Sequence, residues 1–461
     1  MTIAVMRGGL IALYGVKQQE ELRKSLVFQK YDYGTNTRIP IRCYTEISRP
    51  EGPVFLVPRH FCRHHPEFGP YEMREDFSLG EPLPEGICLS PKKSLSWRGI
   101  NQDQVVTEML MKAQTCLGGY GIAPCGSGKT LMGSELARRL GRATLIILSR
   151  RYQVTQWWAE LEDSFVGMAG NVGIYQGKRR ERSHPIILAT INTLLKEPDP
   201  NFFKRFGTVF FDEGHHLPAA TWMAMIARLR SKFIFALTAS YHRTDKLDGL
   251  FQLLLGDTLA EAKIGTVSGG RVDMVHLPSY FSSRRPWGTH PNRKQWSVQL
   301  ANNGLRNHAL VEIISQVYEA RRQALIFSDI REHLCVLKEL CKKRIPEENM
   351  GSYMGGMADA ALQEGGQKPV TFITYDMGSE SVNLPFKDAA VCATPPPSNL
   401  KQLKGRIDRA HPTGGEKPAP YLVDFIDPGQ YFERKGEFRV SQWKKEGLEV
   451  KRVSYTGDDN G

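Results

Sequence analysis

The run TVFFDEGHH, residues 208–216, ends an apolar stretch in two acids, a glycine and two histidines. Asp212, Glu213, His215 and His216 are all metal-ligating types. The run alone admits a zinc site, a pair of catalytic carboxylates, or a charged loop after a strand. A second run narrows the choice. APCGSGKT, residues 123–130, has the phosphate-binding P-loop pattern, with Ala123 in the first position and Gly128, Lys129 and Thr130 at the end. In such a loop glycines let backbone N–H groups point at phosphate oxygens, the lysine neutralises the β- and γ-phosphates, and the threonine hydroxyl ligates Mg²⁺. Cys125, Gly126, Ser127, Gly128, Lys129 and Thr130 are therefore expected to hold a nucleotide, with Thr130 also on the metal. LMGSELARRL follows as a good helix, and the dipole at its start adds to anion binding.

Beside a P-loop the acidic run reads differently. Asp212 closes an apolar strand in the same α/β pattern, and strand ends on one edge of a parallel sheet converge on the ligand crevice. Asp212 is then placed to hold Mg²⁺, directly or through water, and Glu213 to orient or deprotonate the attacking water. His215 reads as a relay between the nucleotide and a neighbouring domain. Zinc would need a histidine pair at i, i+4 and a third ligand nearby, and the run has neither. The nearest thing to a metal cluster elsewhere is RHFCRHH, with His60, Cys62, His64 and His65, and with Cys43 and Cys88 at long range. It has no Cys-x-x-Cys pair and reads as a polar loop.

These residues need a particular order of elements behind them. From about 97 to 262, ATLIILS, PIILAT, TVFF and KFIFALTAS alternate with helical stretches, the signature of a parallel α/β sheet. A second series starts at HALVEIISQVYEARR and runs through ALIFSD, VTFITYD, AAVCATP and PYLVDFID. Between them, residues 264–308 hold six Lys/Arg against one Asp, so they read as a basic interdomain segment. There Arg284, Arg285, Arg293 and Lys294 suit either phosphate contact or a solvated loop. Residues 1–95 read as short alternating strands, such as RIPIRCYTEI and GPVFLVPRHF, with a proline-rich join at 81–93. Residues 431–461 carry the basic stretch ERKGEFRVSQWKKEG and read as a helical tail. The expected organisation is an N-terminal domain at 1–95, a first α/β domain at 96–263, the segment 264–308, a second α/β domain at 309–430 and the tail 431–461.

Composition sets bounds. With 461 residues the chain suits two to four domains, and 41% apolar with 24% charged residues is globular rather than disordered. No apolar run reaches membrane-spanning length, so no membrane partner is expected. Eight scattered cysteines suit reduced thiols in a cytoplasm. A net charge of +12 suits a polyanion, nucleic acid first, or a basic soluble enzyme.

DEGH together with APCGSGKT resembles the DExH box of superfamily 2 helicases and translocases. The resemblance continues in order. LSRRYQVTQW looks like motif Ia, with Arg150, Gln156 and Trp157, and LATINTL like motif Ib, with Thr190 and Thr193. LTASYHRTD looks like motif III, with Thr238 and Ser240 and then Arg243 and Asp245. ALIFSDIREH, with Ser328, is similar to motif IV, and TYDMGSESVNLP to motif V. QLKGRIDRAHP fits motif VI as Gln402, Gly405, Arg406 and Arg409. Together the motifs span about 97–410.

The resemblance implies two RecA-like P-loop domains with parallel sheets, plus a small α+β N-terminal domain. It implies ATP and Mg²⁺ as cofactors, with Arg406 and Arg409 reaching the γ-phosphate beside Gln402 and stabilising charge as it develops. Gln102, in RGINQDQVV, is similar to the glutamine that reads adenine, with Gln104 a rival by spacing. Arg150, Thr190, Thr193 and Ser328 are implied on the nucleic-acid track, and His215, Thr238 and Ser240 in coupling between domains. Two departures stand out. Motif V reads Glu380-Ser381-Val382-Asn383 where an Asp is usual, so Asn383 can bond a ribose hydroxyl without charge. Motif III has Ser240-Tyr241 where Thr-Pro is common.

Within the superfamily, DEGHHLPAATW and the QW of motif Ia look most like the XPB group and the UvsW-like phage helicases, which are DNA enzymes. The expectation is an ATP-driven translocase that unwinds, anneals or branch-migrates DNA in replication, recombination or repair. It would act as a monomer on DNA in the cytoplasm of a bacterial or phage-infected cell. RNA is the first rival substrate. The motor of a restriction system is the second, disfavoured because no nuclease motif is apparent in the sequence. In residues 1–95, Arg38, Arg42, Tyr44, Arg59, Phe61 and Arg63 could grip a duplex or junction arm. Thirteen Lys/Arg there face eleven Asp/Glu, so a domain that only buttresses the motor is the alternative.

Overall fold

A strand buried on both faces needs apolar residues at every position. Strand Thr144–Leu148 shows it: Ile146 and Leu148 enter one core, Leu145 and Ile147 the other. Strand Thr208–Asp212 divides Phe210 and Phe211 in the same way. The structure, a computed structural model, describes residues 1–32, 37–97, 100–123, 127–212, 219–238, 247–262, 269–281, 293–379, 384, 386–397, 400–408 and 417–456. The chain divides into two compact units, Met1–Gly265 and Thr266–Gly461.

The first unit is built on an eight-stranded sheet. Its order is Arg179–Arg180, Val172–Gln176, Ile186–Thr190, Thr144–Leu148, Thr208–Asp212, Phe233–Thr238, Gly118–Ile122 and Thr258–Glu261. All pairs are parallel except the hairpin at 172–180. The parallel α/β expectation holds here. Strand Gly118–Ile122 was not legible, because GGYGI is no apolar run. Close approach demands its glycines: a Cβ on Gly118 would lie 1.9 Å from the Ile234 carbonyl oxygen, and one on Gly119 2.4 Å from that of Asp257.

Residues of the N-terminal region form their own five-stranded sheet, ordered Thr45–Ile47, Val54–Pro58, Leu10–Tyr14, Thr2–Met6 and Tyr71–Glu75. A hairpin, Val27–Asp32 with Thr37–Arg42, and helix Gln19–Ser25 complete the expected α+β character. This sheet packs closely on the motor sheet's helices. A Cβ on Gly9 would lie 2.0 Å from the Ile226 carbonyl oxygen. The structure corrects two of the residues expected to grip a duplex. Arg59 is 1% and Phe61 0% exposed, so both are interior groups and face no ligand.

The second unit holds a seven-stranded parallel sheet, ordered Met350–Tyr353, Val370–Thr374, Ala324–Ser328, Ala389–Cys392, Tyr421–Ile426, Gly270–His276 and Leu448–Ser454. Two expectations change. The segment read as an interdomain connection at 264–308 contains Gly270–His276, which sits inside this sheet. The tail read as helical has helix Gln430–Lys445 but ends in strand Leu448–Ser454. RVDMVH hid its strand because Arg271 and Asp273 look like surface charges. They pair with each other at 2.5 Å, and Asp273 also accepts from the Tyr421 hydroxyl at 2.9 Å. A fully buried pair ties helix Gly304–Glu319 to the segment after Tyr421–Ile426: Arg306 Nε donates to Asp427 Oδ1 at 2.6 Å, the side chains being 0% and 2% exposed.

Removing one partner of such a pair leaves a buried charge. Arg306→Ala is expected to destabilise the second unit by about 3–5 kcal/mol, read as a lower urea midpoint. The double replacement Arg306→Met with Asp427→Leu should recover most of that loss. Equal destabilisation by the single and double changes would mean that packing around the pair, and not its charge, sets the cost.

Candidate nucleotide site

Parallel strands deliver their C-terminal ends to one edge. In the first unit that edge carries Ala123 after Gly118–Ile122, Arg150 after Thr144–Leu148, and the strand-ending Thr190, Asp212 and Thr238. The Ala123 N–H donates to the Thr238 carbonyl at 2.9 Å, so the P-loop starts pinned to motif III.

Helix Lys129–Leu140 begins on the same edge. Gly128 N-caps it at φ +79, a left-handed conformation that glycine adopts without strain. A Cβ at Gly128 would lie 2.4 Å from Gln102 Nε2. Gln102 is buried, and its amide donates to the Ser127 carbonyl at 2.5 Å. Lys129 and Thr130 occupy the first two helical positions, where the positive dipole end favours an anion. Of the two candidate glutamines, Gln102 lies against the P-loop. Gln104 takes the Asn101 cap through its backbone, and its side chain donates to Glu108 at 3.1 Å on the exposed face.

Asp212 is buried at the end of its strand, and the Trp157 indole N–H donates to its Oδ2 at 2.8 Å. Trp157 belongs to helix Arg151–Ser164, which follows the neighbouring strand. The buried indole thus holds one carboxylate oxygen of Asp212. QW drew attention in the sequence, but nothing there connected the indole to Asp212.

Arg150 is exposed at the N-cap of helix Arg151–Ser164. Thr190 and Thr193 are buried, with their hydroxyls 2.8 Å apart, and Thr193 also accepts from the Gly177 N–H at 3.1 Å. The expectation for Ser328 needs correction. It is 0% exposed, its hydroxyl lies 3.0 Å from His333 Nδ1, and it accepts the Ile330 N–H at 3.1 Å. Burial pushes His333 down to about 3, so it stays neutral and bridges Ser328 to Asn307. Ser328 therefore shapes the turn after its strand and offers no hydroxyl to a ligand. Gln402 and Arg406 lie on helix Leu400–Ile407, where Arg406 is buried. Cys125, Gly126, Glu213, His215, Ser240, Asn383 and Arg409 lie outside the described residues.

The RHFCRHH residues are used for packing and pairing. His65 Nδ1 donates to Glu67 at 2.7 Å and its ring stacks on Phe61, and His64 lies 3.6 Å from Asp257. Among the described residues no group of three or more His, Cys, Asp or Glu could hold a metal ion. No described helix is long and apolar enough to cross a membrane.

Residues 100–243 match the family described as "Type III restriction enzyme, res subunit". The putative ATP-dependent RNA helicase L396 of Acanthamoeba polyphaga mimivirus is 24% identical over 395 residues, covering 81% of this chain and 74% of that protein. The putative DNA 3'-5' helicase Rad25 of Halobacterium salinarum is 24% identical over 372 residues, covering 75% and 56%. Together with the ordered motifs, these matches make the chain similar to the helicases of superfamily 2. This helicase is an ATP-hydrolysing enzyme. In fold it is similar to the helicase MrfA bound to DNA and AMPPNP, with a TM-score of 0.58 at 16% identity over 82% of this chain and 55% of that one. Two parallel α/β units are what the superfamily's RecA-like domains require.

If the indole orients Asp212 for the metal, Trp157→Phe should raise the Mg²⁺ concentration for half-maximal ATP hydrolysis about tenfold, as loss of an outer-sphere partner commonly does. A titration that overlays the wild-type curve would remove Trp157 from the site.

Proposed function

We propose that this helicase is a DNA translocase that uses ATP to unwind, anneal or branch-migrate duplex or branched DNA in replication, recombination or repair. The observation that carries the phosphate chemistry is the meeting of the Gly128–Lys129–Thr130 helix start and Asp212 on one sheet edge. The start of helix Lys129–Leu140, with its positive dipole end, suits a phosphate, and Thr130 with Asp212 would supply hard oxygen donors that fit Mg²⁺. Bound Mg²⁺ would neutralise charge across the β- and γ-phosphates.

The chain's own residues do the rest. Lys129 and the backbone of 125–130 hold the phosphates. Glu213 takes the proton of the attacking water. Arg406 and Arg409, with Gln402, supply positive and polar groups to the phosphoryl group in transfer. Gln102 and Asn383 recognise base and ribose. His215, Thr238 and Ser240 carry the state of the phosphate toward the nucleic-acid track. On that track exposed Arg150 is suited to direct phosphate contact. Thr190 and Thr193 would contribute after exchanging their mutual hydrogen bond for a phosphate.

The net charge of +12 suits either nucleic acid, and the DNA reading is supported by the relative named as a DNA 3'-5' helicase. RNA is the second reading, favoured by the mimivirus relative's name. The matched family's description keeps a restriction-system motor as a third. We place the protein as a monomer on its substrate, in the cytoplasm of a bacterial or phage-infected cell.

ATPase and strand-displacement assays across single-stranded, duplex, forked and four-way DNA, with matched RNA, test this directly. Stimulation by branched DNA above RNA is expected, and stimulation by RNA alone would overturn the DNA reading. Glu213→Gln should abolish hydrolysis and spare ATP binding, whereas Lys129→Ala should abolish hydrolysis and weaken binding. Hydrolysis at the wild-type rate by Glu213→Gln would remove it as the base. DNA affinity should fall about 10³-fold or more between roughly 50 and 200 mM salt if six or more phosphates are contacted. A flat response would assign the positive charge to general surface.

A further inference from the structure

The N-terminal sheet sends one loop beneath the P-loop strand. Arg59 follows strand Val54–Pro58, and its Nη2 donates to two carbonyls, Leu117 at 3.2 Å and Lys232 at 2.8 Å. Leu117 is the single residue between helix Gln102–Cys116 and strand Gly118–Ile122. It turns the chain at φ +59, a left-handed conformation that an L-residue with a Cβ adopts only under constraint. Arg63, four residues on, donates through Nη1 to Cys116 Sγ at 2.7 Å, and its Nε lies 3.5 Å from Asp257. Two arginines from the N-terminal region thus hold the last helical residue and its cap.

The other end of the same helix touches the nucleotide site. Its first residue is Gln102, whose amide holds the Ser127 carbonyl and packs over Gly128. Fifteen helical residues separate the two contacts, about 22 Å at 1.5 Å per residue. A helix of this length transmits a displacement of one end to the other with little loss. Cations at a helix C-terminus are also favoured by its dipole.

Arg59 is a costly group for an interface that needs only packing. It is buried, it has no acidic partner among the described residues, and its Nε and Nη1 have no hydrogen-bond partner there. Burial pushes its pKa down to about 9, which leaves it charged at pH 7. An apolar side chain of similar volume would bury without this penalty. What an apolar chain could not do is hold the Leu117 and Lys232 carbonyls.

We propose that Arg59, assisted by Arg63, is a positioning residue for ATP binding: it fixes the C-terminal end of helix Gln102–Cys116 so that Gln102 keeps the P-loop in its binding conformation. The proposal rests on the ATP site described above. It gives the N-terminal region a role in nucleotide affinity that is separate from any grip on DNA.

The test is a double-mutant cycle in the full chain, read as KM for ATP and kcat at saturating DNA. Wild-type hydrolysis and its loss in Lys129→Ala first establish the site itself, so failure there is distinct from failure of this proposal. Arg59→Met should raise KM for ATP about fivefold or more, with kcat within about twofold. Arg59→Lys, which can still donate to both carbonyls, should recover much of the difference. In a Gln102→Ala background the same Arg59→Met change should add less than about twofold, because the strut no longer reaches the loop. Arg205→Ala, which breaks the 2.8 Å pair with Glu81 where residue 81 meets the first sheet, is the control and should leave KM unchanged. If Arg59→Met does not fold, Arg63→Ala decides, since its side chain is half exposed, and it should raise KM in the same direction. An unchanged KM in folded Arg59→Met or Arg63→Ala overturns the proposal. So does a full effect that persists without Gln102, or an equal rise in Arg205→Ala.

Discussion

Strand Gly118–Ile122 lies between Phe233–Thr238 and Thr258–Glu261, and Gly118, Gly119 and Gly121 leave it almost without side chains. Its neighbours close in to distances no Cβ would allow. The strand is therefore positioned by backbone on both sides, and the P-loop that it launches inherits that placement. The Ala123 N–H on the Thr238 carbonyl continues the same pairing one residue past the strand. Helix Gln102–Cys116, before the strand, and helix Lys129–Leu140, after it, then meet where Gln102 holds the Ser127 carbonyl. Phosphate chemistry at this edge depends on a frame that was fixed without reference to any ligand.

Three buried polar contacts in the two units each join two elements. Trp157 links its helix to Asp212. In the second unit Asp424 takes Arg439 at 2.7 Å and the Trp443 indole at 3.1 Å, which binds helix Gln430–Lys445 to strand Tyr421–Ile426. Arg306 and Asp427 do the same for helix Gly304–Glu319. Such pairs add modest net stability but penalise any other arrangement of the elements that carry them.

The chemistry was legible because it is compact in sequence. P-loop spacing and an acid at the end of an apolar run need only local order, and apolar strands such as TLIIL and ALIFS announce sheets buried on both faces. What escaped was long-range. Gly118–Ile122 and Gly270–His276 are strands because of what lies beside them, and neither has the composition of a buried strand. Arg59 and Phe61 looked like surface grips because sequence reports residue type and not depth. Ser328 sits in the right motif, yet His333, five residues later, takes its hydroxyl. The choice between Gln102 and Gln104 likewise needed the helix's orientation, which places one against the P-loop and the other against solvent.

The position of Gly270–His276 in the second sheet has a consequence for biosynthesis. This strand pairs on one side with Tyr421–Ile426 and on the other with Leu448–Ser454, so both its partners are translated long after it. The described strands of the first unit are all made by residue 261, so it can close while the ribosome is still working. The second cannot. Until residues 421–454 emerge, an interior strand with Val272, Met274 and Val275 on its faces waits with two unpaired edges. Its sheet can be completed only from the C-terminal side, and contacts that distant in sequence form slowly. A nascent chain paused within the second unit, before residue 421, would expose a sticky, half-built sheet after a finished first unit.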